Sequence, residues 1–270
     1  MEVVDYTMHK DFVFESKVID VSGAPDYHIH EGYEMLYLIS GNLNFFIGDK
    51  IFAVSPGNIM LIPKGAIHKS HNSASKYERV VWNFTDAAIN ADILPYVNDL
   101  FMHQVYSPDP KFMENIIHEF KHEWHNYYRK EELSLSFSKC YLNLLLLHLI
   151  RHKDKFTVRG TNITNPTIDR LIKYVNKNYS ENVTLKNLSQ SLKLTPNYIS
   201  KLFSENTGMG FKEYLTGVRI KNARDLLEGT SLPINTIAAR CGFDDSNYFS
   251  QAFKKVIGFS PKQYRTQLDT

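Results

Sequence analysis

His28 and His30 stand one residue apart, and Glu34 follows four residues after the second. Alternation along an extended chain sends both imidazoles to one face. Imidazole with carboxylate is a donor set suited to Mn, Fe, Ni or Zn. His68 supplies another nitrogen from GNIMLIPKGAIHKSHN, where Gly57, Pro63 and Gly65 mark turns. These four residues can hold a divalent metal, or serve as hydrogen-bonding contacts in a small-molecule pocket. Tyr33, Tyr37, Phe46, Trp82 and Phe84 can supply aromatic walls for such a pocket, or plain core. The residue types alone leave both pairs of readings open. A second histidine group, His118, His122 and His125 with His148 and His152, has helical spacing but no fourth ligand, which fits a surface or subunit contact better than a metal.

Short β segments must position the first group. FVFESKVIDV, YEMLYLIS, LNFFIG, IFAVS, IMLIP and YERVVWNF are separated by Gly, Pro, Asn and Asp, a pattern that predicts an all-β barrel or sandwich. Helical periodicity then runs over 111–128 and 133–152, predicting a helical hairpin. KFTVRGTNITNP reads as a linker, and Asn165-Pro166 as an N-cap with Pro at the first helical position.

Composition narrows the classes. The 270 residues are 43% hydrophobic, enough for a substantial core. Two cysteines, Cys140 and Cys241, suggest a reducing compartment and no disulfide framework. The first residues mix acids and bases where a signal peptide needs a basic start and an apolar run, and Leu142 to Ile150 is far shorter than the roughly 20 apolar residues that span a bilayer. A soluble, cytoplasmic protein is expected. Residues 1–160 hold 16 Lys+Arg against 20 Asp+Glu, a net of −4; residues 161–270 hold 15 against 9, a net of +6. All eleven histidines precede residue 153. Two parts with different tasks are implied, and the basic part is the one that suits nucleic acid.

That basic part contains an internal repeat. LKNLSQSLKLTPNYISKLFSENTGMGFKEY, from Leu185, aligns with INTIAARCGFDDSNYFSQAFKKVIGFSPKQY, from Ile234, with one residue inserted in the second turn. Tyr198, Ser200, Phe203, Gly208, Lys212 and Tyr214 meet identical residues at Tyr248, Ser250, Phe253, Gly258, Lys262 and Tyr264. Each copy reads as helix, tight turn, helix, with Thr195 or Asp244-Asp245-Ser246 as N-caps and a glycine stop suited to αL geometry. GFKEYLTGVRIKNARDLLEG between them predicts a helix about 28 Å long. Such a strut can set two second helices about one DNA turn apart. In those helices Tyr198, Ile199, Leu202 and Phe203, and Tyr248, Phe249, Ala252 and Phe253, are expected to pack inward. Asn197, Ser200 and Lys201, and Ser246, Asn247, Ser250 and Gln251, are left to read bases; Arg219, Lys254 and Lys255 suit phosphates.

From about Asn165 to Arg265 the chain resembles the DNA-binding domain of AraC/XylS-type transcriptional regulators, and IAARCGFDDSNYFSQAFKKVIGFSPKQYR resembles that family's C-terminal signature. The HIHEGYE and GNIMLIPKGAIHKSHN stretches resemble the two motifs of the cupin barrel. The resemblance implies a two-domain α+β protein. Residues 1–153 form a cupin-like effector-binding and dimerisation domain (barrel about 1–100, helical hairpin about 111–153), 154–165 a linker, and 166–270 a DNA-binding domain with helix-turn-helix units at about 185–208 and 234–258. It implies promoter DNA as partner, a small-molecule effector such as a sugar held by His28, His30, Tyr33, Glu34, Tyr37, Phe46, His68 and Trp82, and RNA polymerase as a further partner of an activator. No cofactor is required, with a divalent metal on His28, His30, Glu34 and His68 as an option. It also makes Leu135, Leu142, Leu145 and Leu149 the leading homodimer surface. The alternative is a cupin metalloenzyme, a dioxygenase or sugar isomerase, with a DNA-binding appendage; a third reading is a DNA-binding protein whose barrel is structural.

Overall fold

Period-two alternation governs the first third of the chain in the computed structural model, which describes residues 11–19, 29–30, 32–48, 50–72, 76–102, 105–156 and 165–268. His28 and most of the expected linker, 157–164, lie outside the described residues. Among the described residues eight strands pair throughout as antiparallel neighbours: β1 (Phe12–Ile19), β2 (Tyr33–Ser40), β3 (Leu43–Ile47), β4 (Lys50–Val54), β5 (Ile59–Ile62), β6 (His68–Asn72), β7 (Tyr77–Phe84) and β8 (Val105–Tyr106). They form a five-stranded sheet, β1-β7-β2-β5-β8, and a three-stranded sheet, β4-β3-β6. β6, HKSHN, carries no apolar alternation and was not among the strands read from the sequence.

Both sheets bury apolar residues on both faces. Leu36, Leu38, Met60, Ile62 and Val81 of the large sheet meet Leu43, Phe45, Ile47, Phe52 and Val54 of the small one, forming the barrel interior. The other face of the large sheet, with Phe12, Phe14, Tyr33, Met35, Val80, Trp82 and Phe84, packs under α1 (Leu94–Phe101), α2 (Pro110–Tyr128) and α3 (Ser134–Phe156). α2 and α3 are the expected hairpin, with α3 continuing to Phe156; α1 was not foreseen. Leu142, Leu145 and Leu149 are fully enclosed in this core and Leu135 packs against it, so the first three cannot form a free dimer surface. The exposed apolar face of α3 is instead Phe137, Cys140, Leu144 and Leu147.

The remaining helices are α4 (Pro166–Asn178), α5 (Leu185–Leu192), α6 (Pro196–Thr207), α7 (Phe211–Gly229), α8 (Ile234–Arg240), α9 (Ser246–Ile257) and α10 (Pro261–Leu268). Asn165 caps α4 through Thr167 N at 3.0 Å, as its position before Pro166 predicts. Thr195 caps α6, accepting from Tyr198 N, and Asp245 caps α9, accepting from Asn247 N and Tyr248 N. α6 and α9 stop at Gly208 and Gly258 with φ of 68° and 91°, the left-handed conformation that lacks a steric penalty only without a Cβ. The turns match as well: Lys193 in the first repeat and Gly242 in the second both have positive φ. Five residues separate α8 from α9 against three between α5 and α6, and α8 is one residue shorter than α5, which leaves the second unit one residue longer up to the start of its second helix.

Tyr198 and Tyr248 correct the expected inward set. They are 48% and 54% exposed, while Ile199, Phe203, Phe249 and Phe253 are fully buried. Each tyrosine lies one residue before a fully buried one, Ile199 or Phe249, and so about 100° round the helix from the face that meets the core. The outer face of the small sheet supplies the last layer: Phe46, Ile51 and Ile67 join the core built by α4 to α10. Among the described residues no helix is long and apolar enough to cross a membrane.

Candidate functional site: barrel cavity and recognition helices

Cross-strand register builds the cavity. β2 sets Glu34 opposite Asn83, Leu36 opposite Val81 and Leu38 opposite Arg79 on β7, so all six face the barrel interior. β1 sets Glu15 opposite Val81, and β3 sets Phe45 opposite Ser70 and Ile47 opposite His68. Glu15, His30, Glu34, Phe45, His68, Ser70, Arg79, Val81 and Asn83 enclose a cavity of about 170 Å³. A backbone hydrogen bond from Gly65 N to His30 O, 2.9 Å, fixes the entry to β2.

Glu34 is 5% exposed. His30 Nε2 lies 2.7 Å from its Oε2 and His68 Nε2 3.5 Å from the same atom. Burial by itself pushes the Glu34 carboxyl up; hydrogen bonds from His30 and His68, and their charge, outweigh this and hold it well below the usual carboxylate range. His68 Nδ1 is 3.0 Å from Ala66 O, and since a carbonyl only accepts, Nδ1 carries a proton and Nε2 is aimed at Glu34. The donor atoms of His30, Glu34 and His68 lie within 4.8 Å of one another. Three convergent N and O donors, one imidazole oriented by the Ala66 carbonyl, fit a divalent cation. Such an ion would hold an oxygen-bearing ligand in the cavity as a Lewis acid.

The expected aromatic walls are elsewhere. Tyr33, Tyr37 and Trp82 have the opposite strand parity to Glu34 and face the helical layer, with Tyr33 OH donating to Asn98 Oδ1 at 2.7 Å. Phe46 also points out of the barrel, and its neighbour Phe45 takes the inward place. Glu15, Phe45, Ser70, Arg79, Val81 and Asn83 are the lining residues that sequence reasoning missed. Parity with Glu34 across the β2 and β7 pairing is the signal that finds Arg79 and Asn83.

On the recognition helices Asn197, Ser200, Lys201, Ser246, Asn247, Gln251, Lys254 and Lys255 are exposed. Lys201 pairs with the exposed Glu205, at 3.7 Å. Ser250 is half-buried and its hydroxyl donates to Ser246 O at 2.9 Å. Arg219 departs from its expected phosphate role. Its Nε donates to Tyr179 O at 2.8 Å, Nη2 donates to Glu181 O at 2.9 Å, and the guanidinium lies 5.6 Å from the Phe243 ring centroid. It ties the loop after α4 to the second repeat. Lys212, Tyr248, Gln251 and Lys255 line a groove between α7 and α9.

Residues 188–267 match the family described as a helix-turn-helix domain, of AraC type, and residues 18–84 match the family described as a cupin domain. Fold and comparisons together define a chain in which a cupin barrel precedes an AraC-type helix-turn-helix domain. Over nearly its whole length it is similar to the HTH-type transcriptional activator RhaR of Mannheimia succiniciproducens, 23% identical over 98% of each chain. The Lactose operon transcription activator of Staphylococcus xylosus is 25% identical over 93% of this chain and 94% of that protein. The uncharacterized HTH-type transcriptional regulator YijO of Escherichia coli K12 is 39% identical over 35% of this chain, and the match spans only 33% of that relative. Among solved structures, the C-terminal domain of AraT, a response regulator from Geobacillus stearothermophilus, shares 39% identity over 38% of this chain and 86% of its own, with a TM-score of 0.37.

Because the Glu34 carboxyl is depressed in the folded state, its contribution to stability is present above its unfolded pKa of about 4.3 and is lost as pH falls through the folded value. Urea unfolding followed by tryptophan fluorescence should therefore show the advantage of the native protein over Glu34→Gln shrinking on acidification below that point. An advantage that stays constant across the acid range would contradict the ion-pair geometry.

Proposed function

We propose that the protein is a sequence-specific DNA-binding transcription regulator, acting as an activator in the cytoplasm under the control of a small polar effector, a sugar or sugar derivative, in the barrel. The observation that carries this reading is the duplicated helix-turn-helix unit, whose two second helices expose short polar side chains on matching faces. Asn and Gln suit adenine edges and Lys suits guanine acceptors. One full-length relative, the Lactose operon transcription activator of Staphylococcus xylosus, is named for a sugar operon and supports the effector class, and the same comparisons favour this reading over the metalloenzyme alternative. RNA polymerase is the further partner of an activator.

The route from effector to DNA runs through the small sheet. On β6, His68 faces the cavity and Lys69 faces α7, where its Nζ lies 3.4 Å from Glu213 Oε1. On β3, Phe45 faces the cavity and Phe46 meets Tyr214 edge-on at 5.4 Å. An effector that changes the strand positions on the inner face must alter the contacts with α7 on the outer one. Binding regulates only if it favours one of the two arrangements.

We propose the exposed face of α3 as the homodimer surface. Phe137, Cys140, Leu144 and Leu147 recur at intervals of three and four, the spacing of a coiled-coil seam. Exposed Glu131 and Glu132 precede the stripe and exposed Arg151 follows it. An antiparallel pair therefore sets acid against base at both ends, as a two-fold interface requires.

Two measurements test these proposals. On a site found by genome-wide mapping of bound DNA, Lys201→Ala should lose about 1–3 kcal/mol at one base position, whereas Lys254→Ala should weaken all sequences evenly and lower the salt slope by about 1; even weakening by Lys201→Ala removes it from the base-reading set. In sedimentation the native chain should be a dimer and the exposed-site double variant Leu144→Glu/Leu147→Glu a folded monomer. A variant that remains dimeric rules out this face.

A further inference from the structure

The His30, Glu34 and His68 cluster occupies only part of the cavity; the rest is dominated by the partly buried guanidinium of Arg79. The β1 and β7 register sets Lys17 directly opposite Arg79, a pairing of like charges that costs stability unless compensated. The Glu15 carboxylate lies near both. Glu15 Oε1 is 2.7 Å from Lys17 Nζ but 4.0 Å from Arg79 Nη2, so its hydrogen bond goes to the lysine. The Arg79 side chain is 13% exposed, and its Nε is buried with no hydrogen-bond partner among the described residues. Arginine cannot shed its proton, and a buried donor left unpaired is costly. Four residues along the same strand and on the same face, Asn83 Oδ1 is a buried acceptor that likewise has no partner among the described residues. Glu34, in contrast, already has both histidines.

We propose that Arg79 and Asn83 recognise a small hydroxycarboxylate in the barrel. Its carboxylate takes Arg79 in the bidentate geometry that a guanidinium fork favours, and one of its hydroxyls donates to Asn83 Oδ1. This rests on the effector-sensing reading and narrows it, from sugar-like molecules in general to those that carry a carboxylate. Size and lining agree. About 170 Å³ lies below the range of roughly 300–1,000 Å³ that holds drug-sized ligands. Phe45 and Val81 are the only aliphatic or carbocyclic side chains among the nine lining residues, which leaves no surface for a long hydrocarbon tail. A sugar acid and a short hydroxy acid share the recognised chemistry.

Calorimetry on the full chain separates the possibilities, using glucuronate and gluconate as sugar acids, lactate and malate as short acids, and glucose as the neutral control. At least one acid should bind saturably, with glucose at least about tenfold weaker. Arg79→Gln should weaken that acid by about 10- to 100-fold while far-UV dichroism stays unchanged. Asn83→Asp provides a second variant should Arg79→Gln fail to fold: the added carboxylate should repel the acids and spare glucose. The proposal is overturned if no acid binds, if glucose binds as tightly as the acids, or if acid affinity survives both substitutions. Glucose-dependent DNA binding would overturn the carboxylate site and leave the sensor reading intact. Acid binding through Arg79 with DNA affinity indifferent to it would support the site and overturn the sensor.

Discussion

One rigid helix, α7, is the constraint on which the other parts depend. Its 19 residues rise about 1.5 Å each, so their ends cannot change separation without breaking backbone hydrogen bonds. At its start Phe211 and Tyr214 pack on Phe203 of the first recognition helix, and Tyr214 OH donates to Asn176 of α4. At its middle Arg219 joins the loop after α4 to the turn of the second repeat. Near its end Leu227 is buried and Glu228 accepts from Tyr264 OH of α10. The two repeats are similar in sequence, but their relative placement belongs to neither; α7 sets it.

The barrel rests against the same helix. Its small sheet works on both faces: one side closes the cavity, and on the other Phe46 and Ile51 join the core built by α7 and its neighbours. Adjacent residues on one strand therefore belong to different parts of the protein: His68 and Phe45 to the cavity, Lys69 and Phe46 to the DNA-binding helices. A ligand that moves one of these strands acts on α7 without any intervening segment. Close-packed layers respond by shifting between discrete arrangements rather than by deforming smoothly.

Much of the helical domain is legible in the sequence because its signals are local. Caps, proline at the first turn, αL glycines and apolar spacing each act within a few residues, and the repeat states them twice. The barrel is less legible. Strands buried on both faces carry large apolar residues on both, so Tyr33, Tyr37, Trp82 and Phe46 look like pocket walls by type while parity turns them away from Glu34. The inward residues that matter, Arg79, Asn83 and Glu15, look like surface residues in a list and become cavity residues only through the register of β1, β2 and β7. β6 is hidden for a related reason: its inner face is polar because the cavity is polar. Arg219 looks like a phosphate contact until the carbonyls of Tyr179 and Glu181, forty and thirty-eight residues away in sequence, are brought to it.

The central claim is that α7 holds two recognition helices at a fixed separation, so that they enter successive major-groove segments on one side of the duplex. Half-site phasing tests it most directly. Footprinting should show two protected segments about ten base pairs apart, and inserting about five base pairs between them, half a turn, should drop affinity to the nonspecific level. Unchanged affinity for the rephased site would contradict the account.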